Sequence, residues 1–387
     1  LESALVIGAG LFGLTGAREL ARRGATVTVL EAGQAPHPDG ASNDVSKVVR
    51  PDYGDDDLYT ALAEESLAAW PDWSDRLGGG LFHRTGLLVA TRAPFDERPF
   101  EQATFARLAA SHGLERLEGA AVRQRFPAFG TEDWVDGYFN PAAGWVDSGA
   151  ATAGLAALAR QEGVDLREHT PVASLVEANG RVRGVRLASG AVLEADLVLV
   201  AAGSWTPTLV PWLGDRLRAI GQPVFHLRPE DPTPFTAPAL PVWAADITTT
   251  GWYGFPALED GHVKVGHHGP GRPVTDPRPA GPPHDLEPDL RAFLRGALPT
   301  LADAPLVGGR WCPYCDSFDG DFWIGRDPER DGLVVAAGGS GHAFKFLPVI
   351  GPVVADACEG RQSPRFARFG WREAGSERRD AMRLGGA

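Results

Sequence analysis

A chain of 387 residues, 43% of them hydrophobic and including 18 Phe and 11 Trp, has the mass for about two or three domains around a sizeable core. Its formal net charge of −13 argues against nucleic acid or an anionic membrane surface as partner, and no stretch approaches the roughly 18 apolar residues of a membrane span. Three cysteines, Cys312, Cys315 and Cys358, do not make a disulfide framework in a chain this long, so a soluble, cytoplasmic protein is expected.

The first thirty residues read as one unit. SALVI is a buried parallel strand, GAGLFG a turn, and LTGARELARR a helix with Leu14, Ala17, Leu20 and Ala21 on one face; Gly24 ends it and TVTVLE is a second strand. A polar connection follows over 33–44. A helix is expected over 55–77, with Leu58, Leu62, Leu67 and Trp70 on its apolar side. Residues 80–140 read as short strands plus the helix ATFARLAASHG. GWVDSGAATAGLAALARQEG is helical again, and a meander follows with turn signals at Asn179-Gly180 and Ser189-Gly190, then a parallel strand ending at Gly203. From about 215 to 308 the composition is β-like with proline-rich loops such as DPRPAGPPHD. The segment DGLVVAAGGSGHAFKFLPVIGPVVADACEG closes the chain as strand, glycine turn and helix, and no internal repeat is evident.

Nucleotide-type βα units therefore stand at the start, middle and end, with β-rich insertions between them. The economical fold is α/β and Rossmann-like, in two domains. The nucleotide domain is discontinuous (1–80, 145–214 and 310–372); a β-rich substrate domain comprises 81–144 and 215–309, and 373–387 is a tail.

Gly8-Ala9-Gly10-Leu11-Phe12-Gly13 stands between strand and helix. Gly8 allows the tight turn, Gly10 lets backbone approach a pyrophosphate, and Gly13 lets helix pack on strand. Phosphates then meet the unpaired N–H groups of a helix N-terminus. Glu31, ending the second strand, is placed for ribose hydroxyls, which FAD and NAD share. Gly338-Gly339-Ser340-Gly341 is expected to lead into a helix aimed at a group gaining negative charge, as a reduced flavin does. An ordinary strand-to-helix turn is the alternative.

Only three of the 37 basic residues are lysine, and Lys47, Lys264 and Lys345 all lie in segments of chemical character. Lysine offers a compact ammonium whose pKa burial can move. In HVKVGHH, strand alternation puts His262, Lys264, Gly266 and His268 on one face, which a merely solvated strand would also show. Cys312 and Cys315 form a lone CxxC, too few ligands for zinc and, with Pro313 between them, a strand-to-loop segment rather than a redox helix start. Buried inert thiols are the plain alternative, and no metal site is expected.

In these segments the chain resembles the FAD-dependent amine oxidases of the sarcosine oxidase group: N-methyltryptophan, pipecolate, saccharopine and fructosyl-amino-acid oxidases, within the D-amino-acid-oxidase superfamily. The resemblance runs through GAGLFG, SKVVRPDYG, DLVLVAAGSW, WYGFP, VKVGHH, the C-x-Y segment with its D-x-x-F, and GGSGHAFKF. It implies FAD held covalently as an 8α thioether through Cys312, with Cys315 three residues away as the other candidate. It further implies Lys264 as the oxygen-activating lysine, Arg50 and Lys345 on a substrate carboxylate, and Tyr253, Tyr314 and His268 lining the substrate side. Lys47 and Lys345 fall with both substrate and cofactor groups. The remaining cofactor contacts it implies are Ser42, Val172, Ala202, Gly203, Trp205, His342 and Phe344, together with the glycines and Glu31 above.

One departure stands out. The sarcosine enzymes carry a histidine and an arginine before the carboxylate arginine, where this chain has Asn43-Asp44-Val45-Ser46-Lys47. ASNDVSKVVRPDYG is closer to the saccharopine-oxidase and amadoriase branch, which points away from sarcosine toward a bulkier secondary amino acid or an intermediate of secondary metabolism. The implied reaction oxidises an amine C–N bond to an imine and reduces O2 to hydrogen peroxide, in a monomer needing no other partner. The rivals are a flavin dehydrogenase feeding another acceptor, a deglycating oxidase, and a redox-sensing module built on Cys312 and Cys315.

Overall fold

The structure, a computed structural model, describes residues 1–130, 133–276, 281–361 and 363–375. Of the expected tail only 373–375 fall among them, and 277–280 of the proline-rich loop lie outside. One sheet runs in the order Trp323–Arg326, Leu333–Ala337, Leu197–Val200, Ser3–Ile7, Thr26–Leu30, Asp165–Arg167. All neighbours are parallel except Trp323–Arg326, which is antiparallel to Leu333–Ala337.

Alternation explains why both faces of this sheet are covered. Ala4 and Val6 point to a core containing Leu14, Ala17 and Leu20 of the helix Leu11–Arg22 and Ile350 and Val354 of the helix Leu347–Cys358. Leu5 and Ile7 point the other way, against Val182 and Val185 of the meander strand Arg181–Leu187. A strand buried on both sides reads as a continuous apolar run, which is why SALVI and DLVLV are so plain in sequence. The hairpin between Val172–Ala178 and Arg181–Leu187 turns at Asn179 and Gly180, both with positive φ (54° and 71°).

The second, larger sheet runs Arg272–Pro273, Leu217–Leu227, Val263–His267, Trp252–Ala257, Val242–Ala245, Leu87–Thr91, Asp136–Asn140, Glu115–Arg116. Leu306–Ser317 pairs along the length of Leu217–Leu227. On Leu87–Thr91, Leu88 and Ala90 face the helix Glu287–Ala297 through Leu290 and Leu294, while Leu87 and Val89 face Phe95 and Leu108. The helix expected over 55–77 spans Asp57–Arg76, N-capped by Asp56, whose carboxylate accepts from the Tyr59 N–H at 3.0 Å.

Two expectations are corrected. Cys312 and Cys315 lie within one 12-residue strand, Leu306–Ser317, because its pairing with Leu217–Leu227 continues through Pro313. And the turn 338–341 does not enter a helix directly. Ser340 and Gly341 have positive φ (43° and 78°), a 3-10 turn covers Phe344–Phe346, and the α-helix begins at Leu347.

Candidate active site and cofactor cleft

The strand Ser3–Ile7 delivers the chain to Gly8, whose φ of +102° suits glycine alone and whose N–H donates to the Leu30 carbonyl at 2.9 Å. A Cβ on Gly13 would stand 1.9 Å from the Gly8 carbonyl oxygen, so the helix can approach the strand only with glycine there. Gly10 caps the helix without a side chain, and the Leu11 N–H donates to the Ser42 hydroxyl at 3.0 Å. Glu31 accepts from the Ala9 N–H at 2.8 Å and from the Gly33 N–H at 3.0 Å. An ionised carboxylate has further lone pairs to offer a hydroxyl.

These groups line a cleft of ≈ 460 Å³. Its walls include Gly8, Gly10, Glu31, Ser42, Lys47, Val172, Ala202, Gly203 and Trp205. The glycine turn contributes Gly338 and Gly341, followed by Phe344. The wall is the turn itself, not the helix start at Leu347. A glycine cradle open to a cleft this size fits a dinucleotide, and Glu31 and the 338–344 segment both border it.

A second cavity of ≈ 90 Å³ adjoins it, sharing Lys47, Tyr314, Gly341 and Phe344. Around it stand Lys47, Arg50, Tyr253, Lys264, His268, Tyr314 and Lys345, brought from five separate stretches of chain, with Leu87, Val242, Ile247 and Phe255 as an apolar side. His342 lines this smaller cavity, not the cleft. Gly13 supports the cleft from behind, and His262 lies elsewhere, beside Asp260.

Each cation is held in place. Arg50 donates to the carbonyl of Asp52, its guanidinium 5.2 Å from the centre of the Tyr53 ring. The Asp52 carboxylate is buried and accepts from Tyr138 at 2.6 Å and Asn140 at 3.1 Å. Lys345 Nζ donates to the Tyr53 hydroxyl at 3.0 Å and to the His342 carbonyl at 2.8 Å. His342 Nε2 faces the Gly320 carbonyl at 3.1 Å, which can only accept. Nε2 therefore carries a proton, while Nδ1 stands 2.9 Å from the Tyr53 hydroxyl, whose oxygen also accepts from Lys345.

Lys264 is 2% exposed, which excludes the solvated-strand reading; Val263 and Val265 fill the core beneath it. Its Nζ donates to Asp44 Oδ2 at 2.7 Å and to the Ser46 carbonyl at 2.6 Å. Burial lowers its pKa to about 8, against the opposing pull of Asp44 and with a further push from Lys47. Burial works against the Asp44 carboxylate too, but Lys264, Lys47 and Arg310 hold it well below the usual carboxylate range. Burial, with Cys312 and Asp44, raises the Tyr253 phenol, which shares a side-chain hydrogen bond with Tyr314.

Positions 312 and 315 fall on opposite faces of their strand. Cys312 packs with Val224 and Tyr314, beside Ala41, and near enough to Lys264 and Tyr253 to act on their charges. Cys315 packs with Ile7, Leu30 and Val200 and borders the cleft; burial pushes its thiol up to about 12. Opposed faces rule out a CxxC redox pair here. Among the described residues no cluster of three metal-ligating side chains occurs, and no helix is long and apolar enough to cross a membrane.

Asp44, Asp52, Tyr53 and Arg310 were not legible as site residues. Asp44 showed only as part of a departure from a motif, and its partner lies 220 residues away.

A family model described as "FAD dependent oxidoreductase" (DAO) matches residues 3–357. Monomeric sarcosine oxidase of Bacillus sp. is 28% identical over 91% of this chain and 90% of its own length. N-methyl-L-tryptophan oxidase of Citrobacter koseri is 28% identical over 94% of this chain and 95% of its own. Among solved structures, fructosyl amine:oxygen oxidoreductase (Amadoriase I) from Aspergillus fumigatus superposes with a TM-score of 0.83 at 28% identity, covering 96% of this chain and 89% of that one.

Proposed function

This chain belongs to the DAO family of FAD-dependent oxidoreductases, and from that premise we propose that it oxidises the C–N bond of a secondary amino acid to an imine. O2 is the electron acceptor and hydrogen peroxide the second product. The observation that carries the reading is the small cavity: four cations and an apolar wall meet where it opens onto the dinucleotide cleft. The similarity of the chain to oxidases of N-methylated amino acids supports it.

Gly8, Gly10, Glu31, Ser42 and the 338–344 segment would hold FAD, which when bound supplies two-electron redox chemistry beside the small cavity. Arg50 and Lys345 approach from different elements and clamp the substrate carboxylate from two directions. The apolar side formed by Leu87, Val242, Ile247 and Phe255 takes the substrate's carbon skeleton and keeps water out. Tyr253 and His268 close the remaining side. Lys264 presents a fixed ammonium to negative charge developing on oxygen, an interaction strengthened in a dry site. Positioning does most of the work, and no protein base is required.

Cys312 is the proposed attachment point for a covalent flavin, because it shares the face of Tyr314 and lies in the field of Lys264. The partition proposed from sequence goes with this reading, although its boundaries at 144/145 and 309/310 fall inside the strands Gly144–Val146 and Leu306–Ser317. A monomer acting on a small molecule is part of the proposal.

Deglycation of a fructosyl amino acid is the second reading, favoured by the likeness to Amadoriase I. Peroxide release across N-methyl, cyclic and fructosyl amino acids separates the two. Flavin that none of these bleaches under nitrogen would overturn both.

A further inference from the structure

Lys264 has three N–H donors, and two are committed, to Asp44 Oδ2 and to the Ser46 carbonyl. Its ammonium also stands 4.8 Å from the centre of the Phe255 ring. Two fixed acceptors on a tetrahedral nitrogen set the direction of the third N–H. Asp44 is itself immobilised. Its Oδ1 accepts from the Val45 N–H at 2.8 Å. Its carbonyl accepts from Ser148 Oγ at 2.8 Å and from the Gly149 N–H at 2.8 Å, at the start of the helix Ser148–Gln161. An acid this constrained holds its partner in one place.

We propose that Asp44 is the positioning residue for the oxygen half of the reaction, its carboxylate keeping the Lys264 ammonium charged and fixed at the cavity wall. The inference rests on the oxidase reading above and goes beyond it by assigning Asp44 a role.

Among the other titratable groups near this ammonium, Lys47 opposes its charge and Cys312 lends it a lesser support than Asp44 does. Lys47, from the strand Lys47–Val49, lies 3.8 Å from the same Asp44 oxygen. Arg310, from Leu306–Ser317, acts on Asp44, and Cys312 from the same strand acts on Lys264. His226, from Leu217–Leu227, is lowered to about 4 by burial and by Lys264, with Asp44 and Asp260 pulling the other way and His262 adding to the fall. Tyr253, from Trp252–Ala257, is held neutral. Of the groups around Lys264, the Asp44 carboxylate is the principal support for its charge. With Asp44 present the ammonium is charged below pH of about 8 and loses its proton as pH rises through that value. Removing the carboxylate moves that loss to lower pH.

Three lysines in the whole chain make the test direct. The holoenzyme labelled with 15Nζ-lysine gives three ammonium signals, with Lys264 assigned by its loss in Lys264→Met. In the parent its titration midpoint is expected near 8. In Asp44→Asn it falls, and in Asp44→Glu it returns toward the parent value. In parallel, holoenzyme reduced with dithionite is mixed with oxygenated buffer. Above both midpoints Asp44→Asn should reoxidise about tenfold more slowly for each pH unit that the midpoint has dropped, and recover on acidification. An unchanged midpoint and unchanged reoxidation in Asp44→Asn overturn the proposal. If that variant does not fold, a parent reoxidation rate that fails to follow the Lys264 midpoint overturns it equally. A parent holoenzyme that oxygen does not reoxidise sinks the oxidase reading instead.

Discussion

Arg50 and Lys345 owe their usefulness to the groups behind them. Tyr53 lies against both, its ring under the Arg50 guanidinium and its hydroxyl on Lys345 Nζ, so one side chain spaces the two charges. Hydrogen bonds to charged groups contribute about 1.5–3 kcal/mol each. Arg50→Met should therefore raise KM for an amino-acid substrate by roughly 10- to 150-fold, read from steady-state peroxide release. A normal KM would remove Arg50 from carboxylate binding. The two cysteines divide as sharply. Cys312→Ser should leave flavin that goes into the supernatant on acid precipitation, whereas Cys315→Ser should leave it in the pellet. The reverse pattern would transfer the attachment to Cys315.

At the scale of elements, the dinucleotide cradle depends on one close approach. With a Cβ on Gly13 placed 1.9 Å from the Gly8 oxygen, Gly13→Ala must push the helix Leu11–Arg22 off its strand. The helix N-terminus, proposed to meet the phosphates, would move with it. Loss of most bound flavin is expected, measured as the ratio of 450 to 280 nm absorbance of the purified protein. Full retention would mean that the helix start carries little of the affinity.

Across the whole molecule, the decisive contacts join segments far apart in sequence. Arg310, on a strand of the larger sheet, donates to three carbonyls of the loop over the cleft: Asn43 at 2.7 Å, Gly40 at 3.1 Å and Pro38 at 3.3 Å. That loop also carries Asp44, so the same guanidinium supports the cleft and the Lys264 pair. Arg310→Ala should speed amide exchange over 38–46 by about tenfold or more, since each lost bond to a charged donor costs at least about a factor of ten. Exchange confined to its parent rate would show the loop to be held by its own turns.

What could be read from sequence was local or periodic. The glycine turn, the helix after it, the acid closing the second strand and the Asn179-Gly180 hairpin each specify themselves within a few residues, because φ preferences and apolar periodicity act at that range. Lys264 was legible as one face of a strand, though not as buried. Tertiary structure alone decided the rest. Asp44 meets Lys264 only because a loop from one sheet crosses a strand of the other, and a lone Asp in a polar segment gives no sign of such a partner. Cys312 and Cys315 separate because pairing with Leu217–Leu227 runs straight through Pro313 and turns a suspected loop into strand, whose pleat sends them to opposite cores. The C-terminal turn lines the cleft with backbone rather than with a helix end because Ser340 and Gly341 hold left-handed conformations that delay the helix to Leu347. In each case the cause was a long-range pairing or a backbone conformation that residue types alone do not encode.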